Sequence, residues 1–490
     1  MFDGMAEPRE LRPHQSNAIQ MLRQSLGQGF TKVVLQAPTG FGKSITAAKI
    51  IESALSKGKR VMFTVPRLTL VDQTVLEFER EGINHIGVIQ SNHPRTDATA
   101  PVQVATVQTL GRQEIGSRPF DIVIQDECHI HAKIIPQLMD AWPKTVFIGL
   151  SATPWARGMG LIWQDLKVAS TIPDLIEQGY LSKFHAYAPD DPDLKGIKVA
   201  RGDYVEGQLA TEMSKPALVG SVVNTWLEKG EGRPTLVFGV NCAHAQVLQE
   251  QFNRAGVSAG YCDAHTDRVE RHLLAKQFRE GDIKLVCSVR TLTTGVDWPV
   301  SCIVDAAPTK SEILHVQKIG RGLRINPGTE DCLILDHAGN SLRLGLVTSI
   351  YHDTLDKTKS GEKQKSETTA KLPKPCSKCE TLHLGLICPA CGHERKPIPG
   401  IETVDGELIE ITDKKRVFTM AEKQEFWSMA LWLDDDRQKG GKLAKGLYKG
   451  KFGVWPQGLT YDRMKPDFSF WNYEKSSRIR YAKRMAKLNK

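Results

Sequence analysis

The chain has 490 residues, 40% of them apolar and 25% charged, with a formal net charge of +9. These values fit a soluble globular protein of about three domains. No apolar run is long enough to cross a bilayer, and the opening MFDGMAEPRE lacks a charged-then-apolar leader, so a cytoplasmic setting without a membrane partner is expected. The charge is unevenly placed: residues 1–350 hold 37 basic and 37 acidic side chains, whereas 351–490 hold 28 and 19. A neutral body with a basic end points to a polyanion partner at that end, or to a solvated basic tail.

Taken in chain order, KVVLQA (32–37), RVMFTV (60–65), PVQVAT (101–106), DIVIQD (121–126) and TVFIGLSA (145–152) predict buried parallel strands. TLVFGV (235–240), IKLVCS (283–288), SCIVDA (301–306) and DCLILD (331–336) predict four more. Helical patterns at 43–56, 67–80, 243–255 and 268–280 alternate with them. Such alternation gives parallel sheets covered by helices on both faces, and the length favours two sheets in tandem. The polar stretch 183–215 is expected to link them, and 353–375, rich in Lys, Thr, Ser and Glu, to form a flexible tether. VDGELIEI (404–411) predicts a hairpin, and TMAE (419–422) is a capping box opening a helix to about 434.

APTGFGKS (37–44) lies between a strand and a helix, where a phosphate-binding loop belongs. Gly40 and Gly42 allow backbone N–H groups, with Thr39, to crowd around phosphate oxygens. Lys43 supplies a cation and Ser44 a hydroxyl for Mg²⁺. DIVIQDE (121–127) ends a strand in two carboxylates: Asp126 suits Mg²⁺, and Glu127 suits the attacking water. Cys128, His129 and His131 follow at once and could suggest zinc instead. Tetrahedral zinc needs four directed ligands, and adjacent residues leaving a strand diverge, so Mg-ATP is the preferred reading.

APTGFGKS, DECH (126–129), SATP (151–154), TTGVDWP (293–299) and QKIGRGLR (317–324) stand in an order that resembles the superfamily-two helicases of the DEAD/DEAH type. The resemblance covers roughly 1–350 and implies two RecA-like lobes, over 1–182 and 216–352. It implies that Gln15 in LRPHQ reads adenine. It also implies that one or both of Arg321 and Arg324 reach across the cleft to the γ-phosphate. Gln317 would face His129, and Ser151 and Thr153 would transmit lobe closure. Gly295 and Asp297 would touch the nucleotide, and Thr294 the nucleic acid. Arg67, Thr106 and Gln108, at strand ends, are further candidates for phosphate contacts.

CSKC (376–379) and CPAC (388–391) have the CxxC…CxxC form of a structural zinc site made by Cys376, Cys379, Cys388 and Cys391. Disulfides are the alternative, disfavoured in a reducing compartment. A zinc ribbon over 376–396 and a basic α-rich module over 397–490 complete the expected architecture. The last fifty residues carry 13 basic and 3 acidic side chains and nine aromatics. Basic groups among aromatics suit nucleic acid, although a small aromatic core with lysines outside explains most of the rings. Trp455 and Trp471 are expected inside, and 475–490 as an exposed basic helix.

DCLILDHAGN (331–340) followed by the cysteine pairs is similar to the RadD-like DNA repair helicases, and KFGVWP (451–456) resembles tails of related phage helicases. That likeness implies an ATP-dependent DNA helicase or translocase in repair, recombination or replication, in a bacterial or phage-infected cell. By analogy it implies the single-strand-binding protein as a partner. An RNA helicase and an ATP-switched clamp that separates no strands remain alternatives.

Overall fold

The computed structural model describes residues 9–90, 93–112, 119–188, 192–200, 202–290, 292, 298–326, 330–359, 372–394, 419–452, 454–467, 470–471, 473–474 and 477–478. They fall into two compact units, Met1–Pro397 and Ile398–Lys490.

The first lobe runs α1 (Pro13–Gly27), β1 (Lys32–Gln36), α2 (Lys43–Leu55), β2 (Val61–Val65), α3 (Val71–Arg80), β3 (Ile86–Ile89), β4 (Val102–Thr106) and α4 (Val107–Leu110). It continues with β5 (Ile122–Asp126), α5 (Ile134–Ala141), β6 (Val146–Ser151), α6 (Met159–Ile162), β7 (Asp165–Val168) and α7 (Ile172–Glu177). The seven strands form one parallel sheet, ordered β3-β4-β2-β5-β6-β1-β7. Both faces are buried, which is why the interior strands read as unbroken apolar runs. In β1, Val33 and Leu35 join one apolar cluster with Ile51 and Phe78, while Val34 joins the other with Phe147 and Trp163.

The second lobe begins with β8 (Lys183–Tyr187), a short hairpin β9 (Val199–Ala200) and β10 (Asp203–Tyr204), α8 (Glu206–Met213) and α9 (Pro216–Lys229). Then come β11 (Thr235–Phe238), α10 (Cys242–Arg254), β12 (Ala259–Cys262), α11 (Arg268–Glu280), β13 (Leu285–Ser288), β14 (Cys302–Asp305), α12 (Glu312–Ile319), β15 (Asp331–Asp336) and α13 (Asn340–Leu344). Its six strands are also parallel, ordered β12-β13-β11-β14-β15-β8. Two tandem RecA-like sheets are therefore present.

Two boundaries need correction. The stretch 183–215 is not a linker: β8 pairs with β15 from Lys183↔Asp331 to Tyr187↔Leu335, and Leu209, Ala210 and Met213 form a small core with Val240. This polar segment forms an edge of the sheet, with only one strip to bury, so its composition resembles a loop. Nor is all of 353–375 a free tether. The chain leaving α13 returns to the first lobe, where Gly158 N–H donates to Asp356 Oδ1 (2.9 Å) and Gly160 N–H to the Asp356 carbonyl (2.7 Å). A Cβ on Gly160 would lie 2.7 Å from Lys357 Cγ and 2.9 Å from the Leu355 carbonyl oxygen, so only glycine admits the strap there. On the same strap, His352 bonds Glu312 of α12 (2.6 Å) and packs on Trp155 of the first lobe (4.9 Å between ring centroids).

The cysteine-rich segment carries β16 (Lys374–Pro375) antiparallel to β17 (Leu382–His383). Leu382 enters the main core, and Glu380 pairs with Lys229 at 3.4 Å. In the second unit, α14 (Met420–Asp436) starts at Thr419, which forms the expected capping box with Glu422. It packs on α15 (Lys442–Phe452) through Phe426, Trp427, Leu447 and Tyr448, with Phe470 closing the core. Trp455 and Trp471 are not in that core: they are 53% and 38% exposed. Trp427, Tyr448 and Phe470 fill the interior instead. The expected hairpin over 404–411 and nearly all of 475–490 lie outside the described residues.

Candidate nucleotide site between the lobes and a four-cysteine knuckle

Parallel strands point their C-terminal ends at one edge, and loops there build sites. The neighbours β5, β6 and β1 end at Asp126, Ser151 and Gln36. Strands lie about 4.8 Å apart, so the β1 loop and the β5 acids are separated by roughly 10 Å, within reach of a lysine. The loop turns through Gly40 (φ 71°) and Gly42 (φ 86°). That backbone strains any side chain at either position, and an added Cβ would also displace Leu181 Cδ2 (2.4 Å) at Gly40 and Gln15 Nε2 (2.2 Å) at Gly42. Gly42 then starts α2, placing Lys43 and half-buried Ser44 in its first turn.

Lys43 Nζ lies 2.5 Å from Glu127 Oε1 and 3.3 Å from Asp126 Oδ1. Burial works against its charge, but the two carboxylates outweigh burial and keep the ammonium protonated well beyond its usual range. Burial also pushes the Glu127 carboxyl up, and Lys43 foremost, with Arg321, brings it below its usual value. For Asp126 burial prevails over Lys43, and its carboxyl is raised. Glu127 holds a left-handed backbone (φ 49°), a conformation that costs a non-glycine residue about 1 kcal/mol. This turn breaks the strand directly after Asp126.

The second lobe meets this site. Thr39 Oγ1 donates to the Gly320 carbonyl (3.0 Å), and Gln317 Nε2 lies 3.2 Å from His129 Nε2. His129 Nδ1 is 2.8 Å from Ser151 Oγ, which also accepts from Thr153 N–H at 3.0 Å. Burial lowers the His129 pKa, so the ring is neutral. Gln317 N–H then donates to Nε2, and the ring proton on Nδ1 goes to Ser151. A continuous chain of hydrogen bonds thus runs from α12 of the second lobe to the end of β6 in the first. Arg321 follows α12 and acts on Glu127 across the cleft. The Arg324 carbonyl accepts from Ser182 Oγ (3.4 Å), at the crossing between lobes.

Several expected roles change. Gln15 is fully buried; its Nε2 donates to the Phe41 and Gly42 carbonyls (2.9 and 3.3 Å) and its Oε1 accepts from Arg12 N–H (2.8 Å). It braces the phosphate loop rather than presenting an edge to a base. Thr106 is buried, and its hydroxyl caps α4 by accepting from Thr109 N–H (3.0 Å), so it offers no phosphate contact. Gln108 is exposed and donates to the Pro66 carbonyl (2.9 Å), which places it beside exposed Arg67 at adjoining strand ends. Thr294, Gly295 and Asp297 lie outside the described residues. Two residues of LRPHQ join the site unannounced: Arg12 donates to the Gly40 carbonyl (3.2 Å) and covers the Tyr180 ring, and His14 Nε2 meets the Phe41 carbonyl (3.0 Å). Their place beside Gln15 is the sequence signal that could have marked them.

Asp126 Oδ1 and Glu127 Oε2 are buried and, beyond the 3.3 Å approaches of Lys43 Nζ and His129 Nδ1, have no hydrogen bond among the described residues. Together with the loop whose backbone strains any side chain, this suits a Mg²⁺-bound triphosphate, whose cation and water would satisfy such oxygens. Cys128 is buried in the apolar cluster below, and His131 bonds the Arg157 carbonyl (2.7 Å), so the metal-capable side chains around Glu127 diverge.

The four cysteines converge. Their sulfurs all lie within 4.8 Å of one another, with Cys379–Cys388 at 3.6 Å and Cys376–Cys391 at 3.7 Å. A tetrahedron with Zn–S near 2.3 Å puts sulfurs about 3.8 Å apart. The two halves repeat one turn. Glu380 N–H donates to the Cys376 carbonyl and Gly392 N–H to the Cys388 carbonyl, both at 2.9 Å. Glu380 and Gly392 are both left-handed, with φ of 63° and 67°. His393 is half-buried and bonds Ser377 (2.9 Å), and it is not among the converging ligand atoms.

Comparison with known proteins agrees with this layout. The family model described as "Type III restriction enzyme, res subunit" matches residues 9–156, and "Helicase conserved C-terminal domain" matches 215–326. A 51.5 kDa protein of a Lactococcus phage is 25% identical over 91% of this chain and 95% of its own length. IRC3 of Saccharomyces cerevisiae, provisionally named an ATP-dependent helicase, is 26% identical over 69% of this chain and 53% of its own length. The EcoKI type I restriction endonuclease subunit of Escherichia coli is 25% identical over 66% and 34%. The chain thus spans about half of the yeast relative and a third of the bacterial one. Among solved structures, the ATP-dependent type ISP restriction-modification enzyme LlaBIII bound to DNA shares the fold at TM-score 0.51 and 17% identity, over 67% of this chain and 28% of that one. With these two domains in order on two RecA-like lobes, the chain carries the motor of a superfamily-two helicase.

Proposed function

We propose that this protein hydrolyses ATP between its lobes in order to move on or unwind DNA. One observation carries the reading: Lys43, Asp126 and Glu127 of the first lobe meet Gln317 and Arg321 of the second around the phosphate loop. Phosphoryl transfer needs positioned reactants and neutralised charge more than covalent chemistry. Lys43 and the N–H groups at the start of α2 would bind the phosphates, and Arg321 would add positive charge from the other side. Glu127 would orient the attacking water. Ser44 and Asp126 would hold Mg²⁺, which supplies further charge neutralisation when bound. The Gln317–His129–Ser151–Thr153 chain would sense whether the lobes are closed. ATP that bridges them would therefore act as a clamp, released on hydrolysis.

DNA is preferred because the type ISP restriction-modification enzyme LlaBIII, which shares this fold, is bound to DNA in its solved structure. Arg67 and Gln108 remain the candidates for strand contacts in the first lobe, with Thr294 in the second. The four cysteines would hold one structural zinc. A role in repair, recombination or replication, and the single-strand-binding protein as a partner, follow only from likeness to RadD-like helicases. The test is ATP hydrolysis against single-stranded DNA, duplex DNA and RNA, with strand displacement measured in parallel. Stimulation greatest with DNA and lost in Lys43→Ala supports the proposal. Stimulation by RNA alone would make it an RNA helicase, and DNA-dependent turnover without displacement a translocase or clamp.

A further inference from the structure

The C-terminal unit leaves large aromatic side chains outside its core. After α15, the segment 454–464 lies along α14: Thr460 N–H donates to Gln424 Oε1 (2.8 Å) and Met464 N–H to the Ser428 carbonyl (3.3 Å). Along it, Trp455 is 53% and Tyr461 67% exposed. A small module with this much ring area gains by burying it, as Trp427, Tyr448 and Phe470 show. The exposed rings sit beside positive charge. Lys442, Lys445 and Lys449 recur at i, i+3 and i+7, so they share one face of α15, opposite Ala444, Leu447 and Tyr448, which are buried. None of the three pairs with a carboxylate among the described residues, and Lys449 Nζ lies 4.1 Å from the centre of the Trp455 ring. The rise over seven residues sets these lysines along about 10 Å.

We propose that this surface binds single-stranded nucleic acid, with α15 lysines on successive phosphates and Trp455 and Tyr461 stacked on bases. Flat rings beside a row of cations match a strand whose bases are unpaired; in a duplex the base faces are already stacked, and a ring would find only edges. The site is built from residues of the second unit alone, so the proposal does not rest on the motor reading. In a moving motor it would hold a strand that the lobes have released or have yet to take.

The test uses the full chain, without nucleotide, and a labelled oligothymidylate followed by fluorescence anisotropy over a range of salt. Trp455→Ala with Tyr461→Ala should weaken binding about thirtyfold or more, the loss expected for two stacked rings. Trp455→Phe, which keeps a ring, should restore part of that loss. Lys442, Lys445 and Lys449 all changed to Gln should reduce the salt dependence by about two. ATP turnover without nucleic acid should stay unchanged, whereas the oligonucleotide concentration for half-maximal stimulation should rise. Unaltered affinity and salt slope in both variants overturn this proposal and leave the motor reading intact. A loss seen on duplex but not on the single strand also overturns it. No binding of any nucleic acid by the unmodified protein overturns both.

Discussion

Each lobe buries a lysine against carboxylate, and the two arrangements are finished differently. In the second lobe, Lys318 Nζ lies 2.5 Å from Asp305 Oδ1, with the two side chains 2% and 0% exposed. Asp305 Oδ1 also accepts from Ala307 N–H (3.1 Å) and Oδ2 from Asn340 Nδ2 (2.9 Å), while Lys318 donates to the Ala307 carbonyl (2.9 Å). Asn340 is held in turn by Thr309 N–H and Arg343. In the first lobe, the Lys43, Asp126 and Glu127 side chains are 23%, 22% and 10% exposed. Among the described residues, one oxygen of each acid lacks a hydrogen bond, and Glu127 sits on a left-handed backbone. A closed pair fixes a shape, whereas an incomplete one leaves capacity for a ligand. The same chemistry supports α12 in one lobe and waits for phosphate in the other.

That contrast can be broken most sharply by activity. Glu127→Gln should lower ATP turnover about a thousandfold or more while thermal unfolding changes little, because the open site carries little of the stability. A comparable loss of folding would place Glu127 with Asp305 as structure. Lys318→Met should do the reverse: stranding Asp305 should cost about 3–5 kcal/mol, read from urea unfolding of the full chain. Unfolding at the unmodified midpoint would mean that the closed pair is not buried as a pair. If the four sulfurs hold one zinc as proposed, Cys379→Ser should abolish that metal content and loosen only the knuckle, so that limited proteolysis quickens around 376–391. Full metal content in that variant would exclude the four-sulfur site. The smallest effect is a gain: Glu380→Gly relieves the left-handed strain at the knuckle and should add about 1 kcal/mol. A loss there would mean that the Lys229 ion pair outweighs the backbone.

Sequence patterns revealed interior elements and hid edges. All nine strands predicted from apolar runs lie inside the two sheets; the four that were missed, β3, β7, β8 and β12, are the four edges. Interior strands are buried on both faces, so they are apolar throughout. Edge strands such as DLKV and KFHAY are half-buried and mixed, and nothing in their local pattern separates them from loops. The site shows the same division. Lys43, Asp126 and Glu127 were legible because phosphate chemistry demands those groups at fixed spacing after a strand, whereas His129 and Gln317 were reached only through the resemblance to helicases. Arg12, His14 and the strap through His352 were not, because their value lies in contacts made across the fold. Thr106 misled for the opposite reason: a hydroxyl at a strand end suits a phosphate contact and a helix cap equally well, and burial decided for the cap. Trp455 and Trp471 misled because aromatic residues in a small module usually fill its core.

The central claim is that groups from two lobes act as one catalytic site. It is tested most directly by comparing nucleic-acid-stimulated ATP turnover in Glu127→Gln, Arg321→Ala and the double variant. Groups that serve one transition state are strongly non-additive, so the double variant should be scarcely slower than the worse single one. Losses that multiply, or an Arg321→Ala enzyme as fast as the unmodified protein, would contradict the account.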